Sequence, residues 1–325
     1  MLGIRVENLE KFYGSFRALK GISFSVRKGE IVGLLGPNGA GKTTTLRIVA
    51  TYLLPSGGKV EIAGIDAVKD PIAAREKIGY MPENPPMYPR MRVRDFLKFV
   101  ARIRGISKKK KLAERLDYVR QVCKLEEVWN KYIAQISKGY RQRVGFAAAI
   151  ISDPPVLVLD EPTAGLDPEQ IRYTRQMIKI LGEDHAVLLS THILHEAQQI
   201  CDRVEIIHRG QIIASGTPAE LSAKIPRARS VKVSLSGPEN EVLAALREID
   251  GVLAVKRTEF AKTFLVEFEP RWNVPESISA TASQMGWHII QLTPEEISLE
   301  EVFHYLVAGE GKNEANRDTY GKRTG

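Results

Sequence analysis

Cysteine is scarce in this chain of 325 residues: Cys123 and Cys201 are the only two, and they form no CxxC pair. A disulfide framework is therefore excluded, and a reducing compartment is expected. Long apolar runs are lacking as well. The longest, such as "FAAAI" and "VLVL", are far too short to span a bilayer of about 30 Å. The opening "MLGIRVENLEKFYG" has acids and aromatics but no apolar core segment, so no signal peptide is expected. No repeat recurs at a fixed period. What is present is 43% hydrophobic and 26% charged, enough for two or three globular domains with a sizeable core. The formal charge is +8. Three readings compete for that excess: nucleic acid, an anionic membrane face, or a basic surface without a specific role.

Along the chain, "GIRVENL", "GISFSV", "EIVGLLG" and "KVEIAG" read as strands, with a helix over 42–51. The stretch 93–123 has helical spacing and carries the basic knot "SKKKK". From Pro155 onward strands and helices alternate: "VLVLD", a helix over 169–181, "AVLLS", a helix over 193–200, then a hairpin turning at Arg209–Gly210. That order implies a largely parallel sheet covered on both faces. A boundary falls near "AKIPRARS". Beyond it the order β-α-β-β-α-β suits a small ferredoxin-like α+β domain, with a last amphipathic helix in "SLEEVFHYLVAG". The expected domains are 1–225, with a helical insert over about 90–150, and 226–308. A polar tail over 309–325 is expected to be disordered.

Two segments carry phosphate chemistry. "GPNGAGKTT", from Gly36 through Pro37, Asn38, Gly39, Ala40, Gly41, Lys42 and Thr43 to Thr44, fits GxxxxGK[ST] between a strand and a helix. Its glycines let backbone N–H groups curl around a phosphate, Lys42 can reach the β- and γ-phosphates, and the Thr43 hydroxyl can ligate Mg²⁺. "VLVLDEP" ends a buried strand on Asp160 and Glu161, at the edge where parallel sheets bind ligands. Asp160 is placed to hold Mg²⁺ through its water shell, and Glu161 to polarise an attacking water. A third segment, "ISKGYRQRVGF", opens a helix with Ser137 as N-cap and is a second anion site.

With these pieces placed, residues 2–221 closely resemble the ATP-binding cassette (ABC) ATPases, of the exporter branch that serves gliding motility and drug export. The resemblance implies a P-loop fold with a mixed α/β core and a helical subdomain, and Mg²⁺-dependent ATP hydrolysis. It implies that Tyr13 stacks on adenine, with Phe12 and Phe16 as rivals, and that His192 in "STHILHEA" contacts the γ-phosphate. "ISKGYRQR" is similar to the family signature, with Ser137 and Gly139 matching. Lys138 stands where glycine is commonest and Tyr140 where glutamine is; the Lys138 charge either helps hold phosphate or is solvated. Asp167 in "AGLDPEQ" matches the loop that crosses to a second subunit. Glu83 in "IGYMPENPP" stands where the family places a glutamine, and is a further candidate Mg²⁺ ligand. The resemblance implies that each signature closes on the ATP of a second copy, and that the work is done by a separate membrane permease at the cytoplasmic face of the membrane. The rival is a non-transport ABC ATPase of DNA or ribosomes. Such proteins usually carry paired cassettes, zinc modules or coiled coils, none of which is found here, so no direct nucleic acid contact is expected.

Overall fold

The computed structural model describes residues 2–223, 229–295, 299–303 and 305. The chain divides into two compact units, 1–218 and 219–325. The expected boundary at 225/226 and the expected tail from Gly309 lie outside the described residues, as does part of the predicted last helix, of which residues 299–303 are helical.

The first unit holds two sheets. The central one has six strands in the order β10-β9-β3-β8-β7-β6. These are β3 (Ile31–Leu35), β6 (Ile78–Met81), β7 (Val156–Asp160), β8 (Ala186–Thr191), β9 (Arg203–His208) and β10 (Gln211–Gly216). All neighbours are parallel except β9 and β10, the hairpin turning at Arg209–Gly210. Every residue of β3, β7 and β8 is buried. Continuous rather than alternating apolar runs are what strands covered on both faces require.

The second sheet is antiparallel, in the order β2-β1-β4-β5. It is formed by β1 (Leu2–Tyr13), β2 (Phe16–Arg27), β4 (Gly57–Ile62) and β5 (Ile65–Asp66). The alternation of strands and helices implied a largely parallel sheet in the mixed core, and did not assign these early strands to a sheet of their own. The difference has a local cause: β1 and β2 are twelve residues each and are joined by only Gly14–Ser15, too short for a parallel crossover. Gly14 has φ 58°, the left-handed value that such a turn needs.

Helix α1 (Lys42–Val49) lies between the sheets. Its Leu46 and Val49 share one core with Ile4 and Val60 of the antiparallel sheet and with Val158 and Leu188 of the central one. After the short α2 (Pro71–Glu76) and β6 comes the helical insert: α3 (Val93–Ile103), α4 (Lys109–Val122), two single-turn 3-10 segments at Glu126–Val128 and Ile133–Gln135, and α5 (Lys138–Ile150). Helices α6 (Pro168–Gly182) and α7 (Leu194–Ile200) complete the cover.

Helix α8 (Pro218–Ala223) begins at the division between the units. The second unit runs β11 (Arg229–Leu235), α9 (Glu239–Arg247), β12 (Val252–Arg257), β13 (Thr263–Phe268), α10 (Val274–Gln284) and β14 (Ile289–Glu295). Its four strands are antiparallel in the order β12-β13-β11-β14. The core is formed by alternate strand residues, including Val231, Val233, Phe264 and Val266, against Val242, Leu246 and Ile278 of the helices.

Candidate functional site

The carboxyl ends of β3, β7 and β8 open on one edge of the central sheet, and the site is built there. The loop after β3 turns into α1 at Gly41, whose φ of 112° is a left-handed value that disfavours side chains. A Cβ on Gly41 would also lie 2.7 Å from Leu19 Cδ2. No side chain caps α1. Its first backbone N–H groups therefore face the loop as free donors, with the positive end of the helix dipole behind them.

Lys42 is buried, and its Nζ donates to the carbonyls of Gly36 (2.7 Å) and Pro37 (3.2 Å). Glu161 Oε1 is 3.7 Å away. Burial pulls the Lys42 pKa below the ordinary lysine value, and the Glu161 carboxylate opposes that shift. A triphosphate would supply the anionic partner that such a lysine favours.

Two acids end β7. Asp160 Oδ1 accepts from the hydroxyls of Ser190 (2.7 Å) and Thr43 (3.3 Å). Glu161 sits at φ 48°, a left-handed conformation for a residue with a side chain. Its N–H donates to Ser190 Oγ at 3.0 Å. This turn points the carboxylate to Lys42 on one side and His192 on the other, where Glu161 Oε2 lies 2.9 Å from His192 Nδ1. The Thr43 and Asp160 oxygens are the hard donors that Mg²⁺ takes, one or two from protein and the rest from phosphate and water. No cluster of three His, Cys, Asp or Glu that would hold a metal exists among the described residues.

A cleft of about 480 Å³ joins these groups. Asn38, Gly39, Lys42 to Thr44, Glu83, Glu161 and His192 are on its walls, with Tyr13 and Phe16. Of the three aromatic candidates, Phe12 is not on the wall; it lies under the Arg17 guanidinium at 5.5 Å. Glu83 is exposed on the wall.

The signature residues lie elsewhere. Ser137 caps α5 by accepting from Tyr140 N–H at 3.3 Å, as Asp167 caps α6 by accepting from Gln170 N–H at 2.9 Å. Both helix starts meet at a separate cleft of about 200 Å³ lined by Gly139, Tyr140, Arg143, Asp167 and Gln170. Ser137 and Lys138 are exposed, and neither they nor Gly139 line the larger cleft. The Lys138 side chain lies along the "AGLDPEQ" loop, where a Cβ on Gly165 would meet its Nζ. Tyr140, in place of glutamine, donates its hydroxyl to Glu127 at 2.8 Å.

A third cavity, of about 870 Å³, is apolar and aromatic. Tyr52, Tyr80, Met87, Tyr88, Phe99 and Ile103 are on its walls. Tyr52 packs on Tyr80 with ring centroids 5.1 Å apart, and Tyr88 on Phe99 at 5.7 Å.

The family described as "ABC transporter" matches residues 19–164. The linearmycin resistance ATP-binding protein LnrL of Bacillus subtilis is 32% identical over 304 residues, 92% of this chain and 96% of that protein. The chain belongs to the ABC transporter family. A second ABC relative, the bacitracin transport ATP-binding protein BcrA of Bacillus licheniformis, is 31% identical, over 94% of this chain and 97% of its own. Among solved structures, an ATP-binding subunit of an ABC transporter superposes with a TM-score of 0.63 at 31% identity, covering 68% of this chain and 92% of that one. A dimeric bacterial ABC transporter cassette gives 0.61 at 26% identity, covering 66% and 98%. The protein is thus an ATP-binding ABC ATPase. Among its described residues no helix is long and apolar enough to cross a membrane.

One residue of this ABC site was not singled out from sequence. Ser190 opens "STHILHEA", two residues before His192, and its buried hydroxyl holds Asp160 and Glu161 at once. The available signal was a serine ending an apolar strand, which alone reads as a strand terminus. Ser190→Ala leaves two buried polar groups without that partner. It is expected to lower unfolding stability by about 1–3 kcal/mol and to slow ATP turnover, with Ser190→Thr recovering more of both than Ala. Chemical denaturation and steady-state ATPase rates on the same samples check this.

Proposed function

We propose that this chain is the ATP-hydrolysing subunit of an exporter, working as a head-to-tail pair of copies that drives a separate membrane permease. The observation that carries the reading is the convergence of Lys42, Thr43, Glu161 and His192 on one cleft, with Asp160 buried behind Thr43 and hydrogen-bonded to it, while the signature helix start opens elsewhere.

In this reading Tyr13 stacks on the adenine, and residues Gly36 to Thr44 wrap the phosphates with backbone N–H groups. Lys42 leaves its carbonyl partners for the β- and γ-phosphate oxygens. Thr43, Asp160 and Glu83 would hold Mg²⁺, which would supply positive charge against the phosphates. Glu161 orients and polarises the attacking water, and takes up its proton. His192, hydrogen-bonded to Glu161, contacts the γ-phosphate and fixes the direction of that carboxylate. Ser137, Lys138, Gly139 and Asp167 belong to the partner copy's ATP. The dimeric cassette among the structural neighbours supports a paired arrangement, as does the exposure of Ser137 and Lys138. An interface completed only by ATP couples nucleotide state to subunit motion.

The aromatic cavity between the Glu83 loop and α3 is the seat for a cytoplasmic helix of the permease. The relatives named for linearmycin resistance and bacitracin transport support export. The second unit serves as a ferredoxin-like accessory domain, and the cytoplasmic face of the membrane is the place of action.

Glu161→Gln is expected to hold ATP without turning it over and to accumulate a dimer in size-exclusion chromatography. Ser137→Arg should abolish turnover while monomeric ATP binding stays within about twofold; normal hydrolysis by this variant rules out the shared site. Glu83→Gln is expected to raise the Mg²⁺ needed for half-maximal ATPase rate, and an unchanged requirement removes Glu83 from the ligand set. Ile103→Asp, at the cavity rim, should lose co-purification with a multi-helix membrane protein yet keep ATP binding. Co-purification of the unaltered chain with ribosomes or DNA instead of such a protein would sink the transport reading.

A further inference from the structure

The positive charge of this protein is concentrated in one place. Residues 88–111 hold ten Lys and Arg against one acid, Asp95, a net of +9. The whole chain is +8, so everything outside this segment sums to −1. An ordinary solvated face interleaves the two signs, because like charges crowded together repel and weaken the folded state. Here the acids that would balance the segment are missing. Among the described residues its only ion pair is Arg94 with Asp95, at 3.5 Å.

The fold gathers these charges along one helix and its exit. On α3, Arg94, Lys98 and Arg102 stand four residues apart in a single exposed row. Five residues join Ile103 to Lys109, where α4 begins, and Lys108 to Lys111 are all exposed. The row of α3 beside it is apolar: Phe99 and Ile103 are exposed and form part of the aromatic cavity wall. A basic row next to exposed aromatic and aliphatic groups on one helix is the pattern of a surface that meets an anionic bilayer.

We propose that the row Arg94, Lys98 and Arg102, with Lys108 to Lys111, contacts the phosphates of anionic lipid headgroups directly. The contact is non-specific in headgroup structure and reads charge alone. It needs no permease, so it holds whether or not the aromatic cavity seats one. Its role is to hold the chain at the leaflet and to orient the cavity toward the membrane. The partner is a fluid array of phosphates rather than a folded anion site, because every member of the row is exposed.

The full chain is sedimented with vesicles of phosphatidylcholine alone and with vesicles containing about 30% phosphatidylglycerol. Binding to the anionic vesicles only is expected, lost in about 0.5 M salt. Lys98→Glu, Lys109→Glu and Lys110→Glu together are expected to weaken that binding by about tenfold or more, and the corresponding Gln triple to weaken it less. A control triple, Lys28→Glu, Lys179→Glu and Lys262→Glu, makes the same change of net charge on exposed sites elsewhere and is expected to change binding by less than about threefold. ATP affinity should be unchanged in both Glu triples, which separates loss of the lipid contact from loss of the nucleotide site. Binding to neither vesicle, equal loss in the two triples, or loss of ATP affinity together with lipid binding in the α3–α4 triple would each overturn the proposal. So would tighter binding of a short RNA or DNA duplex than of the anionic vesicles, lost in the α3–α4 triple, since the surface would then be a nucleic acid interface.

Discussion

The arrangement of the site depends on one register, that of β7 against β8, in which Asp160 lies opposite Ser190. Because both strands are buried on both faces, they cannot slide without moving apolar residues out of the core. The fixed register sets the Ser190 hydroxyl where it gives a hydrogen bond to one acid and takes one from the backbone of the next. From those two bonds follow the distance of Thr43 to Asp160 and the aim of Glu161 between Lys42 and His192. The chemistry lies at the ends of strands whose middles do nothing but pack. Such a division keeps the reacting groups at fixed spacing while the nucleotide comes and goes.

Much of this was legible in the sequence, and the reasons differ from part to part. The phosphate loop is readable because its glycines, lysine and threonine must be consecutive to bend backbone N–H groups around an anion. The acidic pair is readable because a run of four apolar residues announces a buried strand and the first polar residues mark its end. Ser137 is readable as a helix cap, since a short oxygen side chain at a helix start satisfies free N–H groups locally; Asp167 was reached through the family resemblance, and its cap on α6 is a finding of the structure. The antiparallel sheet was hidden because strands of β1 and β2 type look alike in parallel and antiparallel settings; only the two-residue turn decides between them. Ser190 was hidden because its partners lie about 30 residues away, and no local pattern records a contact made across two neighbouring strands. The separation of Phe12 from the cleft that Tyr13 and Phe16 line was also a matter of direction rather than composition, since adjacent residues on a strand point to opposite faces.

The separation of charge follows a similar logic. A protein that binds triphosphate needs few lysines, and among the described residues Lys42 is the one Lys or Arg on the wall of the 480 Å³ cleft. The basic excess therefore does not belong to the nucleotide site. It is carried on a helix that also forms a wall of the aromatic cavity, so one element presents an apolar row and a basic row at right angles to each other around its axis.

The backbone at Glu161 has a further consequence, one of evolutionary trade. A left-handed residue with a side chain costs on the order of 1 kcal/mol, and glycine or asparagine would sit there more easily. Both would remove the carboxylate. On the proposed role of Glu161, heat tolerance and turnover pull in opposite directions at a single codon, and a descendant that ceased to need hydrolysis could become more robust by one replacement there. Such a glycine or asparagine, in a chain that otherwise keeps its phosphate loop, would be the mark of a cassette turned from motor into nucleotide-gated clasp.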